Sequence, residues 1–238
     1  MTWTRFHPLT RITIVVAMVL IIAAASGWDR VGTALASFSP RGSFEVQCEA
    51  LPGNDVSITV QPLRIVEDRS TPFASLGAMM MDMAPAHRTV GVTHAQFGHR
   101  STVDVRGLQH HIAGRACAKP RVAVELFVEP IVVYIAREYA IDPCRSRAIR
   151  EHEQRHVEVF SAFAGEAGVH LKAELAGALG SGAHYGSDIG TMQHNLERRI
   201  GATLNAFMRD AERTLAERQA AVDTAEEYAR VTRACPAL

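Results

Sequence analysis

The chain has 238 residues, more than one typical domain and fewer than two, so we expect one domain with additional segments. Apolar residues make up 47% of it, which is enough for a hydrophobic core and excludes an intrinsically disordered chain. Lysine and arginine number 25, as do aspartate and glutamate, so no basic surplus is available to neutralise phosphates, which argues against a nucleic-acid binder.

The N-terminus has the layout of a secretory signal peptide. Arg5 and Arg11 precede an apolar stretch, Ile12–Ala25, in which Thr13 is the one polar residue, and small residues follow it. The stretch is shorter than the run of about 20 apolar residues that a membrane span needs. We expect cleavage near its end, with retention as an N-terminal anchor as the alternative. The predicted division is a signal peptide or anchor at 1–25, a linker at 26–43 and a single domain at 44–238.

Export to the periplasm or the medium would place the four cysteines in an oxidising compartment. All four lie beyond the apolar stretch, and an even number favours two disulfides. Of the three pairings that four cysteines allow, we prefer Cys144 with Cys235 and Cys48 with Cys117. These pairs would join helix to helix and strand to strand. A cysteine zinc site would need close pairs such as C-x-x-C, and the sequence has none.

The first part of the domain, residues 44–139, has the pattern of mainly antiparallel strands. Apolar and polar residues alternate in Val56–Gln61 and again in Val122–Val128. Between these runs, Arg69–His87 contains two prolines and four methionines. We expect this segment to be a loop or a short helix whose methionines fill the core.

After Tyr139 the pattern becomes helical. Asp142 can cap a helix that begins at Pro143 and runs to about Gly180. A break at Gly165 or Gly168 is left open.

A glycine-rich segment, 180–190, then leads into a second long helix with an apolar stripe from Met192 to Leu215. Thr224 and Glu227 have the spacing of a capping box for a short terminal helix. The predicted fold class is α+β, with strands over 44–139 and helices over 143–234.

The first predicted helix carries the motif H-E-x-x-H at residues 152–156. Residues four apart lie on one face of a helix, one turn apart, so His152 and His156 can bind a single zinc ion. Zinc lowers the pKa of a bound water to about 7, and an adjacent carboxylate can take its proton as the water attacks a carbonyl. This is the zincin metallopeptidase arrangement, with Glu153 as the candidate catalytic base.

The surroundings of the two histidines favour a metal site. Ala148 and Ile149 precede them, and Phe160 and Phe163 follow them, on one otherwise apolar helical stripe. An unpaired imidazole is costly in a core, and a bound metal removes that cost. The alternative is a pair of core histidines that are satisfied by hydrogen bonds.

Further residues carry a resemblance to a known family. They are Val133–Glu138, Cys144, His152–Val157, Val222–Thr224, Glu227, Tyr228 and Cys235. Together they resemble a family of bacterial exported proteins predicted to be zinc-dependent proteases, over roughly Phe44 to Cys235. The resemblance implies an exported metallopeptidase of undefined substrate, with His152 and His156 as zinc ligands and Glu153 as base.

The resemblance does not supply a third zinc ligand. The extension H-E-x-x-H-x-x-G-x-x-H is absent, because Val159 and Ala162 occupy its glycine and last histidine positions. His170 shares the helical face but lies about 21 Å further along an unbroken helix, so it could reach the same ion only if the helix breaks. The other candidates lie on the following loop and helix start: His184, Asp188, His194 and Glu197.

Two hypotheses for the function remain. The first is a periplasmic or secreted zinc metallopeptidase whose peptide or protein substrate pairs with an edge strand within Val122–Glu138 and lies across the zinc. The second is a noncatalytic envelope protein whose C-terminal helices bind a partner and whose histidines are structural or store metal. In neither hypothesis is nucleic acid a partner, and the membrane is contacted only through the N-terminal segment if it is not cleaved.

Overall fold

The computed structural model describes residues 42–79 and 90–235, and their fold is α+β, as predicted. The predicted signal peptide, nearly all of the predicted linker and three of the four methionines of Arg69–His87 lie outside these residues. The helices are α1 (Phe44–Glu49), α2 (Phe73–Met79), α3 (Arg137–Ala140), α4 (Pro143–Leu179), α5 (Ile189–Ala220) and α6 (Ala225–Arg233). The strands are β1 (Asp55–Val60), β2 (Ile65–Asp68), β3 (Gly91–His94), β4 (Phe97–His110), β5 (Arg115–Val128), β6 (Ile131–Ile135) and β7 (His184–Gly186).

The strands form two small sheets that meet end to end. One has the order β1-β5-β4, with β7 pairing to the start of β5, and the other has the order β2-β6-β3. Glu129 lies between β5 and β6, and Gln96 lies between β3 and β4. The Glu129 amide donates a hydrogen bond to the Gln96 carbonyl at 3.0 Å, which joins the two connections. The two central strands, β5 and β6, thus follow one another closely along the chain.

Most of the strand pairs are antiparallel, as predicted, although two are parallel. The β1–β5 and β2–β6 pairs are parallel, whereas β4–β5, β3–β6 and β5–β7 are antiparallel, so the sheets are mixed. A parallel pair requires a long connection, which the intervening strands provide here. An alternating sequence pattern reports which residues face the core and carries no information on strand direction.

The predicted position of the edge strand was wrong. Val122–Glu138 covers the second half of β5 and all of β6, and both are central strands. Every second residue of Val122–Val128 and of β6 is buried, as expected for strands whose one face packs on the core. In the described part of the chain, β3 is the edge strand that lies against the H-E-x-x-H turn of α4, because Thr93 donates a hydrogen bond to Glu153.

Two of the segments predicted as strands are helical. Phe44–Glu49 forms α1 because the Ser43 hydroxyl accepts from the Val46 amide and caps it. Arg137–Ala140 forms the single turn α3. The predicted short helix within Arg69–His87 is present as α2, and its Leu76 is buried.

Both predicted disulfides are confirmed. Cys144, at the start of α4, pairs with Cys235, just beyond α6, whereas Cys48 in α1 pairs with Cys117 in β5. The second bond therefore joins a helix to a strand and not two strands. Two disulfides with no free cysteine are consistent with an oxidising environment. Among residues 42–79 and 90–235, none of the helices combines the length and apolar character that a membrane span requires.

The long helix α4 begins where predicted and continues without the break considered at Gly165 or Gly168. Asp142 Oδ1 caps it by accepting from the amides of Cys144 and Arg145 at 2.9 and 3.1 Å. Gly168 allows a close approach of α4 to β1, since a Cβ there would lie 3.2 Å from a Val60 methyl group.

The core contains buried apolar residues of α4, α5, β1, β5 and β6. Because α4 is continuous and α5 packs against it, the C-terminal end of α5 returns to the first half of α4.

Candidate metal centre

Three helical elements and one strand contribute to a polar cluster at one end of the core. The first half of α4 presents His152, Glu153 and His156, all of them buried. The last turn of α5 contributes Gln219, and the turn between α5 and α6 contributes Asp223. The remaining side chains are Glu227 and Tyr228 of α6 and Thr93 of β3.

His152, His156 and Asp223 converge on one point. The Nε2 atoms of His152 and His156 lie 3.2 and 3.3 Å from the same oxygen, Oδ1 of Asp223. One ligand atom from each of the three residues lies within 4.8 Å of the others. No other group of three or more histidine, cysteine, aspartate or glutamate residues with this spacing occurs among the described residues.

This spacing fits zinc. Ligands at 2.0–2.1 Å from a tetrahedral ion are separated from one another by about 3.3 Å. The two measured histidine–aspartate separations match that value. Two imidazoles and a carboxylate are also a ligand set that zinc uses at catalytic sites, where three protein ligands leave the fourth position open.

Each histidine is oriented by a partner on its other ring nitrogen. His152 Nδ1 donates to Glu227 Oε1 at 3.3 Å, and His156 Nδ1 donates to Gln219 Oε1 at 2.6 Å. Gln219 Nε2 in turn donates to the His156 carbonyl at 3.2 Å, which fixes which end of the amide faces the ring. In the neutral form of each ring, with its proton on Nδ1, Nε2 carries the lone pair that a metal requires.

The electrostatics favour positive charge at the point of convergence. Burial raises the pKa of Asp223, but hydrogen bonds from His152, His156 and Tyr228 and the charge of His156 together hold that pKa well below its usual range. Burial likewise lowers the pKa of both histidines, but their hydrogen bonds and the nearby carboxylates together outweigh it, so both pKa values are raised. An ionised carboxylate between two imidazoles is satisfied either by protons on the rings or by a divalent cation.

Two residues of α6 support this arrangement. Tyr228 hydrogen-bonds Asp223, and burial together with this bond raises the pKa of its phenol. A hydrogen bond from Arg230 is the largest cause that lowers the pKa of Glu227 to about 2, so its carboxylate stays ionised. Arg155 also donates to Glu227, at 2.6 Å, and fixes α6 to α4 beside His152.

Glu153 lies beside the cluster and is almost completely enclosed, with 2% of its surface exposed. Thr93 Oγ1 of β3 donates to its Oε2 at 2.8 Å and to its backbone carbonyl at 3.2 Å. Burial raises the pKa of Glu153 despite the nearby histidines. A carboxylate whose pKa is moved toward neutrality is suited to accept and return a proton.

The predicted candidates for the third ligand are not at this site. His170 is exposed further along the unbroken α4, and Asp188 caps α5 by accepting from the Thr191 amide at 2.7 Å. His184 lies in β7. His194 and Glu197 are exposed near the start of α5. From His156, the end of α4 is about 35 Å away, so the loop and helix start that follow it cannot reach the histidines.

The sequence did contain a signal for Asp223. Two consecutive long helices that pack side by side return the end of the second to the beginning of the first. By this reasoning the residues after α5, and not those before it, should meet the H-E-x-x-H turn.

The chain matches no protein-family model, no curated protein and no solved structure at a significant level. The candidate centre is therefore supported by its geometry, and the resemblance to exported zinc-dependent proteases stays a prediction.

Proposed function

We propose that the protein is an exported zinc-dependent metallopeptidase that hydrolyses peptide bonds. The observation that carries this proposal is the convergence of His152 Nε2, His156 Nε2 and one Asp223 oxygen at separations suited to a single zinc ion, with Glu153 buried beside them. Asp223 is the third ligand in this proposal. Zinc, when bound, would supply a Lewis acid that polarises a carbonyl and lowers the pKa of water.

The chain itself supplies the proton transfer. Glu153 would take a proton from the attacking water on its free carboxylate oxygen and return it to the leaving amine. Thr93 holds the other oxygen and so sets the direction of the carboxylate. The raised pKa of Glu153, caused by burial, supports this role.

The strand β3 is the proposed binding site for the peptide backbone. In the described part of the chain β3 pairs only with β6, which leaves its other edge without a strand partner. An extended peptide can add to such an edge through backbone hydrogen bonds. Thr93 ties this strand directly to Glu153, so a peptide bound there would pass the metal centre.

Export is supported by two features of different kinds. The two disulfides are consistent with an oxidising compartment. The apolar stretch Ile12–Ala25 behind Arg5 and Arg11 has the layout of a signal peptide, which supports a mature chain in the periplasm or the medium.

Replacing Glu153 by glutamine tests the catalytic proposal. The substitution keeps the size of the side chain and removes the base, so we expect zinc content to be unchanged and cleavage of an unfolded protein substrate to fall at least about 100-fold. Glu158→Gln, an exposed position on the same helix, is the matched control and should cleave normally.

Zinc content and cleavage are measured on the same preparations. Cleavage by the Glu153→Gln variant at the wild-type rate, with zinc bound in both proteins, would eliminate Glu153 as the base. Stoichiometric zinc in a wild-type protein that cleaves no member of a broad peptide library would favour the noncatalytic metal-binding alternative.

A further inference from the structure

A groove of about 350 Å³ opens between the β3–β4 connection, α4 and the end of α5. This volume is within the range of small ligand sites, about 300–1,000 Å³. Its walls are mostly apolar and comprise Ala95, Phe97, Phe160, Leu215 and Ala216, with Gln219 at one end.

Three elements lead from the metal centre to this groove. On α4, Phe160 lies one turn beyond His156, about 6 Å further along the axis on the same face. On α5, Leu215 lies one turn before Gln219, the residue that holds His156 Nδ1. On the strand side, Ala95 follows Thr93 by two residues, or about 7 Å of extended chain. The groove therefore begins about one helical turn from the metal ligands.

We propose that this groove binds the apolar side chain of the substrate residue next to the cleaved bond. The inference rests on the proposed function, and it adds the class of substrate: peptides with a leucine-like or phenylalanine-like residue at that position. In a peptide paired along β3, the residue beside the cleaved bond would be within one or two residue spacings of Ala95. The site would thus select a side chain at a fixed distance from Glu153.

The chemistry of the walls defines this preference. Phe97, Phe160 and Leu215 form the apolar floor of the groove with only their edges exposed, so an apolar side chain that binds over them would leave water. The methyl side chains of Ala95 and Ala216 leave space that a larger residue would fill. The carboxylate of Glu212, which also lines the groove, disfavours acidic side chains.

Peptide hydroxamates test the inference by binding, independently of cleavage. A hydroxamate chelates zinc, and the residue beside it reports on the groove. Two pairs of probes are used, each pair differing only by leucine or glycine at that residue. One pair carries the hydroxamate on the carboxyl side of this residue and the other pair on its amino side. With zinc-loaded protein and calorimetry, we expect leucine to bind at least 10-fold more tightly than glycine in one pair.

A variant that fills the groove provides the comparison. Ala216 is exposed on α5, so Ala216→Leu should fold and keep its zinc while reducing the leucine preference to less than about 3-fold. Ala206→Leu, the same change at an exposed position of α5 outside the groove, should keep the full preference.

The outcomes separate the two proposals. Equal binding of leucine and glycine probes in both pairs, or a leucine preference that persists in Ala216→Leu, would contradict the groove as a substrate site. Neither result would contradict the proposed metal centre. Failure of every hydroxamate to bind zinc-loaded protein would instead contradict an open catalytic metal site, and with it the groove as a substrate site.

Discussion

At the residue scale, the two histidines are held as a metal centre requires, with both ring nitrogens engaged. Glu227 and Gln219 accept from Nδ1, and both Nε2 atoms face Asp223. A hydrogen-bond acceptor behind an imidazole orients the ring and makes the metal-facing nitrogen a better ligand. The groups behind the ligands should therefore affect zinc affinity without touching the ion.

Glu227→Gln should weaken zinc binding by about 10–100-fold, the usual effect of losing such a partner. The glutamine removes the negative charge that faces His152, Arg155 and Arg230. Glu226→Gln is the control, since Glu226 is the neighbouring residue and is exposed. Competition with a chromophoric zinc chelator measures both affinities, and equal affinities in the two variants would contradict the role of Glu227.

The relative placement of these residues could be predicted from the sequence only where they share one helix, because their spacing along that helix determines the geometry. His152, Glu153 and His156 lie within five consecutive positions of α4, so their relative placement follows from the helical repeat alone. Asp223 was not identified as a ligand, because its position depends on how α5 packs against α4. That contact joins residues more than 60 positions apart, such as His156 and Gln219.

At the element scale, α4 carries the site and β3 covers it. Gly91 of β3 lies so close to α4 that a Cβ there would be 2.5 Å from Glu153 Oε1 and from an Ile149 methyl group. Gly165, within α4, has no atom within 4 Å of the corresponding position. The same substitution at these two glycines should therefore have opposite effects.

Gly165→Ala should raise the free energy of unfolding by about 0.5–1 kcal/mol, because alanine loses less conformational entropy than glycine in a helix. Gly91→Ala should lower it and should also reduce zinc-dependent cleavage, since β3 or Glu153 must move. Urea denaturation of the two variants measures the difference. A stabilised Gly91→Ala variant would show that β3 does not pack against Glu153 as described.

The elements could be predicted to different extents. The boundaries of α4 followed from Asp142 and Pro143, and the N-cap of α6 followed from Thr224, which accepts from the Glu227 amide at 3.2 Å. The other hydrogen bond of the predicted capping box, from the Thr224 amide to the Glu227 side chain, does not form. The Glu227 carboxylate instead accepts from His152, Arg155 and Arg230. Strand direction and the edge position of β3 depend on pairing between distant segments, which no local pattern contains.

At the scale of the whole molecule, the two disulfides connect different parts of the fold. Cys144–Cys235 ties the start of α4 to the end of α6, and the segment between α5 and that bond carries Asp223 and Glu227. Cys48–Cys117 joins α1 to β5. The bonds close chain segments of similar length, with sequence separations of 91 and 69 residues.

Removing either disulfide by a double cysteine-to-serine change should therefore lower the free energy of unfolding by a similar amount, about 2–5 kcal/mol. Only loss of Cys144–Cys235 should weaken zinc binding in the folded protein, because it frees the segment that carries Asp223, the proposed third ligand. Denaturation and zinc titration of the two double variants measure these effects. Equal zinc affinity in both would mean that the hydrogen bonds of α6 alone hold Asp223 in place.

The central claim is that His152, His156 and Asp223 together bind one zinc ion. A crystal structure of the zinc-loaded protein, with anomalous data collected at the zinc absorption edge, tests it most directly. We expect one anomalous peak within about 2.0–2.2 Å of the two histidine Nε2 atoms and of a carboxylate oxygen of Asp223. A peak with a different third protein ligand, or no peak between the two histidines, would contradict the claim.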